Sequence, residues 1–526
     1  MMLATAWTMA LQGAVGHLVE VQVDISPGVV GATIVGRPDA SLLEARDRVR
    51  MAITHAAPPW PSTRRVTILL TPADLPKRGT HFDLAIAVGI KGADGTLPPG
   101  STADTVFIGE LTLDGALRAV PGVLPMVMAA AARGVRRVFV PEPQAREAAM
   151  VPGVEVFGVR SLAQVVAQLR GEEVPVAAPV HDSRGATLLT WRGDDRADEV
   201  DMADLVGLDD ARFALEVVAA GGHHLMLTGP KGSGKTSLAE RIPTLLPDLG
   251  RDEALELTAV LSLAGGDNPP GLVVRPPFRA PHHDTSKSSL LGGGAGRVRP
   301  GELSRAHCGV LFLDEFPLFR TDVIEALRQP MESGEISVSR GEESAVYPAR
   351  GMVVLASNPC PCGDYHPDHK QNRCTCTEVQ RREYRRRVSG PVADRIDVLR
   401  HVLPPGRADQ GAHVSREASA TIRDRVTAAR RRQADRYAHS GWRLNAHVPS
   451  HLLRSRWPLG PELERRLEHE VHAGLLSRRG ATRVHRLALT VADLLGLEVP
   501  DVACLDTALR LRTGEPLVLT AVGRAG

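Results

Sequence analysis

The chain has 526 residues, 43% hydrophobic and 24% charged, with a formal net charge of +2. That length allows about three or four domains with real cores, and the composition excludes a mostly disordered, collagen-like or disulfide-stapled chain. Near-neutral charge excludes a uniformly basic nucleic-acid coat, and no apolar run reaches the ~18 residues of a membrane span, so no membrane partner is expected.

The start of the chain is apolar but carries no basic segment ahead of it, so a signal peptide is not expected. With 6 cysteines in the whole chain, a reducing, cytoplasmic compartment is expected. Aromatics are scarce, at 9 Phe, 5 Trp and 4 Tyr, so the cores must rest on Ala, Val and Leu. Residues 1–170 alternate strand-like runs (19–25, 66–70, 106–108, 138–140) with Ala-rich helical runs (41–55, 83–90, 123–133). This is the pattern of a mixed α/β domain. Residues 171–202 lack periodicity and mix Pro, Gly and charge, as a linker does. Residues 203–403 carry nucleotide motifs, and 404–526 read as a mostly helical domain with Arg-rich faces at 416–436 and 462–486.

The first motif is LMLTGPKGSGKT from residue 225. An apolar strand runs into Gly229, Pro230, Lys231, Gly232, Ser233, Gly234, Lys235 and Thr236, and Ser237 continues into a helix. The glycines let backbone N–H groups turn toward a β-phosphate, Lys235 reaches the β- and γ-phosphates, and Thr236 supplies a Mg²⁺ ligand. The implied cofactors are ATP and Mg²⁺. A chance glycine-rich turn would not come with a strand before it and a helix after it.

More chain than a minimal P-loop core needs separates this motif from the next. The inserted stretch 277–307 holds Gly292 to Gly296, expected to be a flexible tip, with Arg297 and Arg299 beside it. Two readings stay open: a basic loop that probes a pore and its phosphates, or a solvated surface loop. Next comes VLFLDE, a buried strand ending in Asp314, suited to Mg²⁺, and Glu315, suited to polarising the attacking water. The stretch around 335–343, including Arg340, alternates and turns like a β-hairpin. An apolar strand over 351–357 then ends at Asn358, which either orients the lytic water or is a turn residue before Pro359.

Cys360, Cys362, Cys374 and Cys376 follow in two C-x-C pairs. Four thiolates can hold a structural Zn²⁺, although C-x-C is tighter than the usual spacing, and four reduced loop thiols is the alternative. Cys308 and Cys504 read as small buried apolar residues. Lys370, Arg373, Arg381, Arg382, Arg385, Arg386 and Arg387 outnumber Glu378 and Glu383 just beyond. That run is either a solvated face or the lining of an interface or DNA path.

Taken together, AAGGHHLMLTGPKGSGKT, PFRAPHH, PGELSRAHCGVLFLDE, LRQPMESGEISVSR, ASNPCPCG and SGPVADRID resemble the ComM/YifB group of magnesium chelatase-like AAA+ ATPases. The resemblance extends to the N-terminal block and to TRVHRLALTVADLLG in the tail, so it covers nearly the whole chain. It implies an AAA+ core with a parallel sheet and a C-terminal helical lid, assembling into a hexameric ring on single-stranded or branched DNA. The stretch before Asp314 becomes the helix-2 insert and 332–348 the pre-sensor-1 hairpin, with Arg297, Arg299 and Arg340 as the DNA contacts. Asn358 becomes sensor 1, Arg395 the arginine finger, and Arg479 sensor 2, with Arg483 the less favoured choice. The activity implied is branch migration or helicase work in homologous recombination and natural transformation. The alternatives are a magnesium-chelatase motor subunit and another protein-remodelling ATPase.

Two departures from the family pattern are Lys231, where a proline is usual, and Gly207-Leu208 in place of Gly-Gln. The N-terminal block also resembles the proteolytic domain of Lon, which uses a Ser-Lys dyad. Here His81 stands at the serine position and Leu124 at the lysine position, so the domain is expected not to be catalytic.

Overall fold

The computed structural model describes residues 2–180, 200–205, 207–264, 271–294, 298–340, 343–365, 372–388, 392–403 and 417–522. Most of the expected linker, over 181–199, the expected tip residues Ala295 and Gly296, Arg297 and Lys370 lie outside the described residues.

The first domain is a seven-stranded mixed sheet in the order Gly31–Val35, Arg65–Thr71, Val15–Ser26, Met2–Gln12, Thr105–Phe107, Arg137–Pro141, Glu155–Val159. Four of these strands coincide with the expected runs. Val19, Val21, Val23 and Ile25 are buried at alternate positions, which is the period-2 signal of a strand with one face in a core. Met2–Gln12 was not expected as a strand. It pairs antiparallel with Val15–Ser26 along its whole length, from Met2↔Ile25 to Gln12↔Val15, and lies mid-sheet. Its Ala, Met and Leu content favours helix locally, and sheet pairing overrides that preference. The helix Asp83–Ala93 is buried along almost its whole length, and Ala40–Ala56 packs beside it.

The second domain holds five parallel strands in the order Phe278–Arg279, Val310–Leu313, Met352–Ser357, Leu225–Thr228, Val398–His401. Val310–Leu313 and Met352–Ser357 are buried at every position. Continuous apolar runs are what a parallel sheet covered on both faces requires. Because all five strands point the same way, the residues that follow Thr228, Leu313 and Ser357 meet at one edge of the sheet. Ligands of open parallel sheets sit at that carboxyl edge.

The insert departs from expectation where its two arms meet. Gly292–Gly293 pair antiparallel with Arg299–Pro300, so these two glycines are ladder residues rather than a flexible end. A Cβ on the neighbouring Gly301 would run into the Gly292 N–H and the Leu290 carbonyl, so the two arms approach too closely for side chains. The hairpin forms from Glu335–Arg340 and Glu343–Pro348. Its strand Glu343–Pro348 rests on the first domain, where Ala345 and Tyr347 cluster with Leu11 and Ala14. Helix Arg251–Ala264 adds Leu255 and Ala259 to the core around Val123 and Val127.

The C-terminal domain is helical: Ser419–Arg436, Ser450–Arg456, Pro461–His472, Arg478–Leu495 and Val502–Thr513. Several arginines of the expected Arg-rich face at 416–436 turn inward. Arg436 forks onto Asp493, whose side chain is fully buried. Arg425 forks onto Glu216 of the sheet domain at 2.7 Å and also reaches Glu417. Arg430 donates twice to the Ala219 carbonyl. Arg425 and Arg430 tie these helices to helix Asp209–Gly221 of the sheet domain, and Arg436 ties two of them to each other, because buried carboxylates and carbonyls need such partners. Among the described residues, no helix is long and apolar enough to cross a membrane.

Candidate nucleotide-binding site

The loop between strand Leu225–Thr228 and helix Lys235–Leu245 is shaped by two glycines. A Cβ on Gly229 would run into the Val402 carbonyl. Gly234 caps the helix at φ 91°, in the left-handed region. The helix N-terminus therefore opens toward the loop with its free N–H groups and positive dipole end.

Lys235 is 7% exposed, and its ammonium donates to Gly229 O at 2.7 Å, Pro230 O at 2.8 Å and Asn358 Oδ1 at 3.2 Å. Burial lowers its pKa, while Asp314 and Glu315 act against that shift. Asn358 follows strand Met352–Ser357 and so meets the loop across paired strands, with Thr228 opposite Ser357. The Asn358 carbonyl oxygen is taken by Lys235, which leaves the amide N–H groups as donors for an anion or a water.

Thr236 Oγ1 donates to Asp314 Oδ2 at 2.9 Å, and the Glu315 N–H donates to Asp314 Oδ1 at 2.8 Å. A hydroxyl and a carboxylate oxygen side by side, both hard donors, fit Mg²⁺ with phosphate oxygens completing its shell. Glu315 has φ 49°, a left-handed conformation rare for a residue with a Cβ. That turn ends the strand and leads into Phe316–Leu318. Ser237 lies in the first turn of the helix, where its carbonyl accepts from Arg241. Lys231 is exposed, and its N–H reaches Gly363 O at 3.4 Å.

The expected arginines gather elsewhere. Arg395 precedes strand Val398–His401, whose Val398 pairs with Leu225, so it sits at the amino edge of the sheet. Its side chain is 13% exposed, pairs with Glu332 at 3.0 Å and donates to Arg328 O at 3.0 Å. Arg479 approaches the same Glu332 at 3.8 Å, with a side chain 69% exposed. Arg483 donates to Asp394 O and to Asp397 Oδ1, at 2.9 and 2.5 Å. Burial alone would raise the Asp397 pKa, but Arg483 and His223 hold it well below the usual carboxylate range. Arg395 and Arg479 thus share one carboxylate, at the edge opposite Lys235.

The four expected cysteines come together. Sγ separations are 3.3 Å for Cys360–Cys362 and 3.6 Å for both Cys362–Cys374 and Cys360–Cys374. Cys376 joins them within 4.8 Å. Tetrahedral zinc with Zn–S bonds of ~2.3 Å spaces its sulfurs about 3.8 Å apart, close to this arrangement. Cys504 is buried, as expected, and burial pushes the half-hidden Cys308 thiol up to about 12. Of the basic insert residues, Arg299 is exposed. Arg340 ends its hairpin strand opposite Glu343.

One residue near the site gave no sequence signal. Tyr384, on helix Glu378–Val388, is 8% exposed, and burial raises the pKa of its hydroxyl, with Ser357 and the Asn358 backbone acting against that shift. Its basic neighbours are partly engaged too: Arg381 stacks over Tyr365 at 4.7 Å, and Arg387 donates to Pro317 O. In the first domain His81 is buried and donates to Met9 O, and Leu124 is fully buried. Thr80, the nearby hydroxyl, donates to Glu110.

Comparison with known proteins gives three family patterns. "Magnesium chelatase, subunit ChlI" matches residues 201–409, "Subunit ChlI of Mg-chelatase" residues 21–144, and "Magnesium chelatase, subunit ChlI C-terminal" residues 416–512. An uncharacterised protein of Mycobacterium tuberculosis H37Rv is 44% identical, over 97% of this chain and 99% of its own. YifB of Escherichia coli K12 is 40% identical over 94% of each chain. The competence protein ComM of Haemophilus influenzae is 38% identical, again over 94% of each.

Proposed function

The chain belongs to the ComM/YifB group of magnesium chelatase-like AAA+ ATPases, and from that premise we propose that it is a ring-forming motor that hydrolyses ATP to move on DNA. The observation that carries this reading is the convergence of Lys235, Thr236, Asp314, Glu315 and Asn358 at one sheet edge, with Arg395 and Arg479 on the other. Such a division suits a ring, in which one subunit's arginine edge meets the next subunit's nucleotide. The three acceptors on Lys235 give way to phosphate oxygens when ATP enters. Thr236 and Asp314 would hold Mg²⁺, which offsets charge on the β- and γ-phosphates. Glu315 takes the proton of the attacking water, and Asn358 orients that water. Arg395 of the neighbouring subunit meets the charge that develops on the transferred phosphoryl group, and Arg479 acts from the same side. Domain limits at about 170, 202 and 403, a hexameric ring and a cytoplasmic site of action belong to this reading.

The relative named as a competence protein supports a DNA substrate, single-stranded or branched, with branch migration in recombination or natural transformation as the task. Arg299, Arg297 and Arg340 are the proposed contacts, on the insert and hairpin that would line the pore. Steady-state ATPase rates with no DNA, single-stranded DNA and a four-way junction test this, with Glu315→Gln as the blank. Stimulation greatest with the junction is expected. Basal activity that no DNA changes would move the assignment to a chelatase-type motor, which the family descriptions favour, and a partner subunit would then stimulate it.

The four-cysteine cluster is proposed to hold one Zn²⁺. Metal analysis of the purified chain is expected to give about one zinc per chain, lost in Cys374→Ser. A metal-free, fully active wild-type chain would remove zinc from the account.

A further inference from the structure

A cavity of about 780 Å³ lies between the sheet domain and the helical C-terminal domain. His224, Gly309, Gly351 and Asp397 line it, and each directly precedes a strand of the parallel sheet. The cavity therefore stands at the amino edge, opposite Lys235. Its other walls come from helix Arg251–Ala264 and from Arg430, Trp442, His447 and Arg486 of the helical domain. Its volume is that of a small-molecule site.

The carboxylates of these walls are already engaged. Glu256 pairs with Arg350 and His307, Asp397 with Arg483, and Asp252 and Glu253 with Arg443. Glu332 is shared by Arg395 and Arg479, and Glu335 stands exposed at the start of the hairpin strand. Arg430 and Arg486 are placed differently. Arg430 donates through Nε and Nη2 to Ala219 O, and Arg486 through Nη2 to Val448 O, which leaves Nη1 of each for a ligand. Among the described residues neither guanidinium has a carboxylate partner, and the buried Nε of Arg486 has no hydrogen-bond partner. The indole N–H of Trp442 is also buried and unpartnered. Cations held only by carbonyls in a recess are costly without a counter-charge. His447 lines the same recess with an exposed side chain, and burial together with the positive charge of His224, Arg350 and Arg486 lowers its pKa to about 3. Its ring is neutral, in electropositive surroundings.

We propose that this cavity is a second anion site, which takes a small phosphate-bearing molecule between core and lid on Arg430, Arg486 and His447. Two unpaired guanidiniums call for two negative charges. A phosphate dianion supplies both from one group and offers several oxygens to the two forks, whereas a single carboxylate supplies one charge. The neutral imidazole adds a donor or an acceptor. The volume exceeds that of inorganic phosphate and leaves room for an organic part. Binding needs neither the phosphate loop nor turnover, and it stabilises the lid on the core because both supply walls.

The test is equilibrium dialysis of inorganic phosphate against the full chain carrying Lys235→Ala, at constant ionic strength. A single saturable phosphate is expected, with a dissociation constant at or below about 1 mM, and equimolar acetate is expected not to displace it. Arg486→Gln is expected to weaken binding about tenfold or more, as loss of a charged hydrogen-bond partner does. His447→Trp fills the cavity from a position exposed to it. It is expected to weaken binding as much, with an unchanged thermal midpoint in the absence of phosphate, and it carries the test if Arg486→Gln folds poorly. Arg395→Ala is expected to leave binding unchanged. No saturable binding, binding unmoved by the cavity variants, or displacement by acetate overturns the proposal. Loss of binding in Arg395→Ala overturns it too, by assigning the anion to the arginines of the subunit boundary.

Discussion

Arg395→Ala is expected to lower ATP turnover by about three to five orders of magnitude, while ATP affinity changes by no more than a few fold. The guanidinium stands at the amino edge of the sheet, paired with Glu332 and the Arg328 carbonyl, and its own phosphate loop opens at the carboxyl edge. It serves a nucleotide only across a subunit boundary, and there it meets charge that appears in the transition state rather than in bound ATP. Removing it therefore costs rate and not binding. The structural cost is small, because the Glu332 left behind is 46% exposed and water replaces the lost partner. Turnover and fluorescent-nucleotide binding measured on one preparation check the split. Normal turnover in Arg395→Ala would remove the residue from the finger role.

Glu315→Gln is expected to lose about two to four orders of magnitude in hydrolysis and to retain ATP. The amide keeps the shape and the left-handed turn, and the Thr236–Asp314 contact that would receive Mg²⁺ stays intact. What disappears is the acceptor for the water's proton. Single-turnover hydrolysis alongside nucleotide retention on a desalting column gives both numbers. Residual hydrolysis near the wild-type rate would point to another base at the same edge.

The phosphate site was legible in sequence because phosphate chemistry demands particular residues at fixed spacing. Gly229, Gly234, Lys235 and Thr236 leave few alternatives once a strand precedes and a helix follows. The strands leading into Gly229, Asp314 and Asn358 were legible as apolar runs, whereas the parallel sheet that joins them entered only as what the family resemblance implies. Other features were hidden for physical reasons. Met2–Gln12 looks undecided between helix and strand, and its long pairing with Val15–Ser26 settles the matter. Gly292–Gly293 carry no side chains to announce a strand, so close backbone approach to Arg299–Pro300 was read as freedom. Tyr384 sits in a basic helix whose sequence suggests a solvated face, yet its side chain is buried. The Arg-rich lid segments suggested surfaces, yet Arg425 and Arg436 meet Glu216 and Asp493 only after folding. Charge in a sequence gives the sign of a partner, not its address.

The central claim is that each ATP is completed by two chains, and a mixing experiment tests it most directly. Lys235→Ala keeps Arg395 but lacks the phosphate-binding ammonium, and Arg395→Ala keeps the phosphate loop but lacks the finger. Each variant alone is expected to be inactive. Mixed and allowed to assemble together, they are expected to regain ATPase activity, with a maximum at intermediate ratios, as productive boundaries form between unlike neighbours. Mixed assemblies that form but stay inactive at every ratio would contradict the account.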